Sequence, residues 1–294
     1  MTPMPALQKQ PLPETALSGR CPIRALQESD KQAALNYLSA RPISTVIMAG
    51  WLHERGIASE ANRGTFYGYF DGDGRLDGVA LIGRATMFET QNERALQEFA
   101  ELAQSSETVR MVMGEEEKME VMLRHFVSSN RKPRLLYHDL LYEFNGTTRL
   151  AKGIDGLRAA TRENLEQVVA AHAQMVLAET GVNPLDEDAR GFRERCGRRI
   201  DGNKVWILIR SGELIFKADI VAETAAAFYL EGIWVNPAER RKGYGTLCFR
   251  ELSANLLAKK KSLCAFLDDS DERTKRFYGR IGARCHGRFA KIYL

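Results

Sequence analysis

The stretch "ERRKGYGT", residues 239–246, stands between an apolar, aromatic-rich run and a segment with helical spacing. A GxG pair alone says little, because glycine appears wherever a chain turns with positive φ. The flanks decide. Upstream, "AFYLEGIWV" reads as a strand, closed by Asn236-Pro237. Downstream, "TLCFRELSANLLAKKK" puts Cys248, Phe249, Leu252 and Leu256 on one helical face and ends in three lysines, where the helix dipole is negative. A loop entering a helix leaves the first-turn N–H groups without intrahelical acceptors, at the positive end of the dipole. Arg240, Arg241 and Lys242 add charge that a plain turn does not need, which favours an anion cradle over a solvated basic helix start. The chain has no GxxxxGK[ST] and no GxGxxG with an acidic residue about twenty positions on.

Working outward, "SLCAFL" is a buried-strand candidate, "DERTKRFYGRIG" a short helix stopping at Gly282, and "HGRFAKIYL" a closing strand. Before the loop, "KVWILIR" and "LIFKADIV" flank Ser211-Gly212, a hairpin signal, so "AFYLEGIWV" is the third strand of a meander. On that strand Glu231 is expected to alternate with Tyr229, Ile233 and Val235 on one face. Thr161 can cap a helix whose apolar face is Leu165, Val168, Val169, His172 and Met175, which makes His172 a packed core histidine rather than a ligand.

The first half has its own version of this order. "GTFYGYF" and "LDGVALIG" are strands around a Gly/Asp turn, and Leu96, Phe99, Ala100 and Ala103 have helical spacing. "TVRMVMG", "EEEKMEVMLRHFVSS" and "RLLYHDLLYEF" continue as strand, helix and strand. A polar joint, "GTTRLAKGIDG", places a boundary near residue 150. Two structural copies of one mixed α/β unit follow, each a mostly antiparallel mixed sheet flanked by helices. The copies differ where it matters chemically. Past "LDGVALIG" the first half reads "RATMFETQNE" in place of a glycine loop, and Glu115, Glu116 and Glu117 at its other helix start would repel phosphate.

Bulk composition narrows the function classes. Apolar residues are 44% and charged residues 27%, and no run nears the roughly 18 apolar residues of a membrane span. Residues 1–150 hold 17 Lys+Arg against 19 Asp+Glu, and residues 151–294 hold 25 against 19, so the positive field belongs to the second half. An excess of six suits a phosphorylated small molecule and is too small for a nucleic-acid binder. Five scattered cysteines and five scattered histidines give neither a disulfide framework nor metal-ligand spacing. No metal is expected, and a reducing cytoplasm suits the free thiols. The first 22 residues, with four prolines before Gly19 and no apolar core segment, read as a flexible tail.

Taken in order, a strand ending Val-x-Pro, Arg240-x-x-Gly243-x-Gly245, a helix, an apolar strand and a Phe277-Tyr278-x-x-x-Gly282 helix resemble the GNAT superfamily of acyl-CoA-dependent N-acetyltransferases over residues 155–294. The resemblance implies acetyl-CoA as cosubstrate, with its pyrophosphate on Arg240, Arg241, Lys242, Gly243, Tyr244, Gly245 and Thr246. It implies that Ile233, Trp234 and Val235 pair with the pantetheine arm, one amide polarising the thioester carbonyl. Tyr278 matches the tyrosine that protonates the departing thiolate, and Glu231 is a candidate general base for a primary-amine acceptor, or the partner of a buried group. Asp271 departs from the asparagine of many relatives. The first half, with "AETGVNPLDEDARGFRERCGRRI" opening the second, resembles the degenerate N-terminal unit of bacterial tandem-GNAT proteins. The implied division is a tail at 1–22, a non-catalytic GNAT-like unit at 23–148 and a catalytic unit at 149–294. Glu179 to Pro184 and Asp186 to Asp188 read as a solvated inter-helix loop, with an acceptor-lining role as the alternative. A non-catalytic acyl-CoA-binding module is the rival reading, and a homo-oligomer stays open.

Overall fold

The computed structural model describes residues 22–128, 131, 133–145, 153–258 and 261–294. The expected tail, the joint near residue 150, and Lys259 and Lys260 at the end of the basic helix lie outside the described residues. The first half runs β1 (Ile23–Ala25), α1 (Lys31–Ser39), α2 (Val46–Arg55), β2 (Gly64–Phe70), β3 (Leu76–Gly83), β4 (Ala85–Thr90), α3 (Glu93–Ser105), β5 (Met111–Glu115), α4 (Glu116–Ser128) and β6 (Leu135–Phe144). The second repeats it element for element: β7 (Arg158–Ala159), α5 (Leu165–Thr180), α6 (Pro184–Asp201), β8 (Val205–Arg210), β9 (Glu213–Glu223), β10 (Ala227–Val235), α7 (Tyr244–Leu257), β11 (Ser262–Asp268), α8 (Glu272–Arg280) and β12 (Arg284–Tyr293). The correspondence reaches single dihedrals. Gln27 and Thr161 each open a 3-10 turn with a capping box, at φ −110° and ψ 168° in one half and φ −110° and ψ 170° in the other.

All twelve strands form one sheet in the palindromic order β1-β2-β3-β4-β5-β12-β6-β11-β10-β9-β8-β7. Each half is therefore completed by the last strand of the other. β12 pairs with β5, β6 pairs with β11, and the two exchanged strands pair with each other. The cores follow the exchange. Ala290 and Ile292 of β12 pack under α3 and α4, whereas Phe144 of β6 packs under α7 and α8. On the opposite face α1 and α2 cover a core that includes Val221, Ala222, Tyr229 and Cys264 from the second half. Hydrophobic burial, the main favourable term in folding, thus runs through both halves without a seam.

Two local features are not anticipated by the sequence. Ala85–Thr90, which no spacing rule above assigns, is strand β4, its polar residues buried with partners: Thr86 Oγ1 donates to Gly83 O at 2.9 Å, Thr90 Oγ1 to Asp77 O at 2.8 Å, and Glu89 accepts from Arg41. Asp186 to Asp188 lie in α6 rather than in a loop; Asn183 caps that helix, and Asp188 marks a kink at φ −154° and ψ 68°.

Candidate active site

β10 and β11 are parallel neighbours over only three pairs, Ala227↔Ser262 to Tyr229↔Cys264. Beyond Tyr229 they diverge, β10 running on to Val235 and β11 to Asp268. The backbone groups that would have continued the ladder face a wedge instead. β10 is also bulged. Glu231 pairs with Asp219 and Trp234 with Lys217, so Gly232 and Ile233 oppose Ala218 alone, with Gly232 at φ +62°. The extra residue switches the alternation. Glu231 does not share a face with Ile233 and Val235 as the spacing predicts. Ile233 and Val235 pack toward α7 with Leu230, whereas Trp234 packs with α5 and α6. Asn236 N–H donates to Ile215 O at 2.9 Å, toward β9, so strand alternation turns the Val235 N–H into the wedge.

The loop after β10 has the backbone of an anion cradle. Arg241 at φ +66° and Gly243 at φ +89° are both left-handed, and Gly243 caps α7 with no side chain over its amides. Among the described residues no acceptor meets the N–H groups of Tyr244, Gly245 or Thr246. A Cβ on Gly243 would meet nothing within 4 Å, and one on Gly245 would lie 3.3 Å from Val235 Cγ2, which keeps α7 tight against β10. Arg240, Arg241 and Lys242 are exposed; Arg240 Nε reaches Val235 O at 3.2 Å and Lys242 pairs with Glu239 at 2.8 Å. The neighbouring helix start is closed. Asp271 accepts from the amides of Arg273 and Thr274 and from the Thr274 hydroxyl, so α8 keeps its own first-turn donors occupied.

On the α7 and α8 side, a narrow apolar slot at the wedge is lined by Leu230, Phe249, Cys264, Tyr278 and Tyr142. Tyr278 is 5% exposed, stacked on Tyr142 at 5.2 Å and 13° and edge-on to Phe249 at 6.0 Å. Its hydroxyl makes no hydrogen bond to the described residues. Burial pushes its pKa well above the phenol's usual value, so it stays protonated through the neutral range. Tyr142, which the spacing argument missed, comes from β6 of the first half.

Glu231 opens on the other face. α2 and α5 both pack on β10, yet Glu231 between them is exposed and has no hydrogen bond or ion pair among the described residues. Helices packed on both sides of the strand crowd it without covering it. The crowding lifts its carboxyl above the ordinary carboxylate range, against the pull of Arg199. Glu179 stands at the end of α5, one of those helices, and its carboxylate accepts from Lys291 at 2.7 Å and from the Tyr293 hydroxyl at 3.1 Å. Asp188 is turned away and pairs with Arg195 at 3.0 Å. His172 is a packed residue, stacked on Phe192 at 5.3 Å, and burial beside Lys217 and Arg199 drives its pKa down to about 3.

The first half lacks each of these features. β3 and β4 pair in continuous register from Gly78↔Thr90 to Leu81↔Met87, without a bulge. Asn92 Oδ1 accepts from the amides of Arg94 and Ala95 and so occupies the start of α3. Where β4 and β5 diverge, Arg41 bridges Glu89, at 3.0 Å, and Glu115, while Lys118 pairs with both acids at 3.3 and 2.8 Å. The wedge is filled with ion pairs. Even the expected repulsive acid, Glu115, is spent internally, its carboxyl lowered to about 2 although burial opposes the pull of Arg41 and Lys118.

Comparison with known proteins agrees with this architecture. A family model described as FR47-like protein matches residues 215–290, the segment from β9 to β12. No curated protein is significantly similar to the chain. Among solved structures, a Drosophila protein superposes with a TM-score of 0.67 at 15% identity, covering 93% of this chain and 98% of that one. A tandem GNAT protein from the clavulanic acid biosynthesis pathway gives 0.57 at 11% identity over 92% and 97%. A GCN5-related N-acetyltransferase from Sphaerobacter thermophilus gives 0.57 at 12% over 92% and 94%. The chain carries the GNAT fold twice in tandem, with the FR47-like match in its second half.

Proposed function

We propose that the second half is an acyl-CoA-dependent N-acyltransferase that moves an acetyl group from acetyl-CoA to a primary amine in a ternary complex. The observation that carries this reading is a contrast within one molecule. The wedge at β10 and β11 leads to a glycine-capped helix start with free amides, whereas its counterpart at β4 and β5 is plugged by Arg41 and leads to amides taken by Asn92. The residues present fit the cosubstrate. The amides of Gly243 to Thr246, with Arg240, Arg241 and Lys242, would hold the pyrophosphate, and Ile233 to Val235 would pair with the pantetheine arm. Acetyl-CoA supplies an activated thioester.

In this reading the amine approaches on the side of Glu231 and meets the thioester carbonyl through the wedge. Its nitrogen bonds to the carbonyl carbon, the carbon–sulfur bond breaks, and the amine proton passes to Glu231 directly or through water. The Val235 amide faces the carbonyl oxygen as charge develops there. Tyr278 donates a hydrogen bond to the departing sulfur from the opposite side of the sheet. Holding both reactants at one opening supplies much of the acceleration. The division at 23–148 and 149–294 is proposed as a division of labour: the first half binds no acetyl-CoA and completes the second by supplying β6. Turnover of acetyl-CoA with a panel of primary amines tests the function. Saturable acetyl-CoA binding with no transfer to any amine would favour a non-catalytic binding module.

A further inference from the structure

We propose that Lys217 is a positioning residue for acyl transfer, its buried ammonium fixing the bulge at Gly232 that sets the strand amides in the wedge. The inference rests on the acyltransferase reading and adds a residue outside the family's sequence motifs. Lys217 is fully buried on a central strand, where a charged amine is tolerated only with partners. Its Nζ lies 2.8 Å from Asp219 Oδ1 and makes a long hydrogen bond of 3.4 Å to the Gly232 carbonyl. Asp219, 2% exposed, is held from the other side by Arg199 at 2.9 Å.

The geometry ties this cluster to the bulge. Lys217 pairs across the strands with Trp234 and Asp219 with Glu231, so the two charged residues bracket the one place where β10 carries an extra residue. A Cβ on Gly232 would fall 2.9 Å from Lys217 Nζ and 3.4 Å from Asp219 Oδ2, so the ammonium sits against the left-handed glycine itself. The first half provides the comparison. On β3 the residues packed beneath α1 and α2 are Val79 and Leu81, and the β3–β4 ladder there has no bulge. The buried Lys217–Asp219 pair and the bulge opposite it occur together in the β9–β10 ladder, and the β3–β4 ladder has neither, its buried charge being Glu89 on β4. The ammonium is thus placed to hold the Gly232 carbonyl away from ladder geometry and, with it, the register that aims the Val235 amide.

Lys217→Met removes the charge at similar length and leaves Asp219 paired with Arg199. Lys217→Gln also removes the charge and keeps a donor for the Gly232 carbonyl. With the Met variant, affinity for coenzyme A lacking the acetyl group is expected to stay within about twofold, because the helix start supplies it. Turnover is expected to fall about ten- to a hundredfold, short of losing an oxyanion donor outright. The infrared carbonyl band of bound ¹³C-acetyl-CoA is expected at lower frequency than in solution in the wild-type protein and back toward its solution position in the Met variant, and Gln is expected to restore part of both signals. A Met variant with wild-type turnover and carbonyl band would overturn the role of Lys217. So would unfolding of both variants by circular dichroism, which would make Lys217 a folding residue only. A wild-type protein that binds no acetyl-CoA would refute the acyltransferase reading itself.

Discussion

Tyr278→Phe removes one oxygen from the slot and leaves its packing intact. The ring stacked on Tyr142 and set edge-on to Phe249 is retained, and the hydroxyl has no hydrogen-bond partner to lose among the described residues. A buried hydroxyl without a partner costs about 1–3 kcal/mol of desolvation, so removing it should leave stability unchanged or raise it by up to that amount. For a chain of this size that means no fall in melting temperature, and a rise of about 2–4 °C for each kcal/mol gained. Turnover is the sensitive readout. Burial holds the phenol above its ordinary value of 10.0, whereas a thiol sits near about 8.5. Complete proton transfer to a finished thiolate is therefore uphill by at least about 2 kcal/mol. A hydrogen bond to the developing sulfur charge is the contribution the site can make, worth about 1.5–3 kcal/mol. At 1.36 kcal/mol per tenfold, kcat should drop about ten- to a hundredfold with the dissociation constant of acetyl-CoA unchanged. Measuring kcat, acetyl-CoA affinity and melting temperature on one preparation checks all three. Full turnover would show that Tyr278 is only a core aromatic. The pH profile gives a second check: a raised phenol pKa keeps the donor protonated past pH 10, so a basic limb below that value that vanishes in the Phe variant would also refute the reasoning.

Other consequences can be measured independently. Gly243→Asp places a carboxylate where a Cβ meets no atom within 4 Å; at φ +89° it carries about 1–2 kcal/mol of backbone strain, small enough for the variant to fold, while its acetyl-CoA affinity should drop about tenfold or more by charge repulsion, and unchanged affinity in a folded variant would exclude the cradle. Glu231→Gln should remove an acid limb from the kcat/KM profile lying above 4.5, since a base with a raised pKa is lost as pH falls through that value. The same shift makes the folded protein hold its proton longer than the unfolded chain, so the stability linked to Glu231 is present at low pH and lost as pH rises through the folded pKa. At pH 7 the Gln variant should melt no lower than the wild type, and a clearly lower melting point would indicate a structural carboxylate. Residues 149–294 alone lack β5 and β6, which leaves β11 with β10 only, β12 with no strand beside it and Phe144 missing beneath α7; circular dichroism and exchange should find this piece unfolded or aggregated, and a stable, acetyl-CoA-binding fragment would contradict the exchanged core.

Much of this architecture is legible locally. The Ser211-Gly212 hairpin, the apolar face of α7 and the glycine pair before it each obey a short-range rule, and the order of elements in one half anticipated the other. The exchange of β6 and β12 is not local, because an apolar strand reads the same whichever neighbour it pairs with. Strand β4 was hidden by Thr86, Glu89 and Thr90, polar residues that are buried only because partners elsewhere in the fold satisfy them. The face of Glu231 was misread for a related reason. A period of two holds only while register holds, and one inserted residue at Gly232 inverts everything after it. Two signals were present: an isolated glycine inside a strand, and Lys217 and Asp219 in an otherwise apolar one. Tyr142 had no such signal, since only the exchange carries it to Tyr278.

The most direct test of the central claim is a titration of the intact protein with acetyl-CoA, followed by amide hydrogen exchange. One equivalent per chain is expected, with exchange slowed at the amides of Gly243 to Thr246 and at Val235, and unaltered at Arg94 and Ala95, which Asn92 already caps. Absence of saturable binding, or a second equivalent that slows the start of α3, would contradict it.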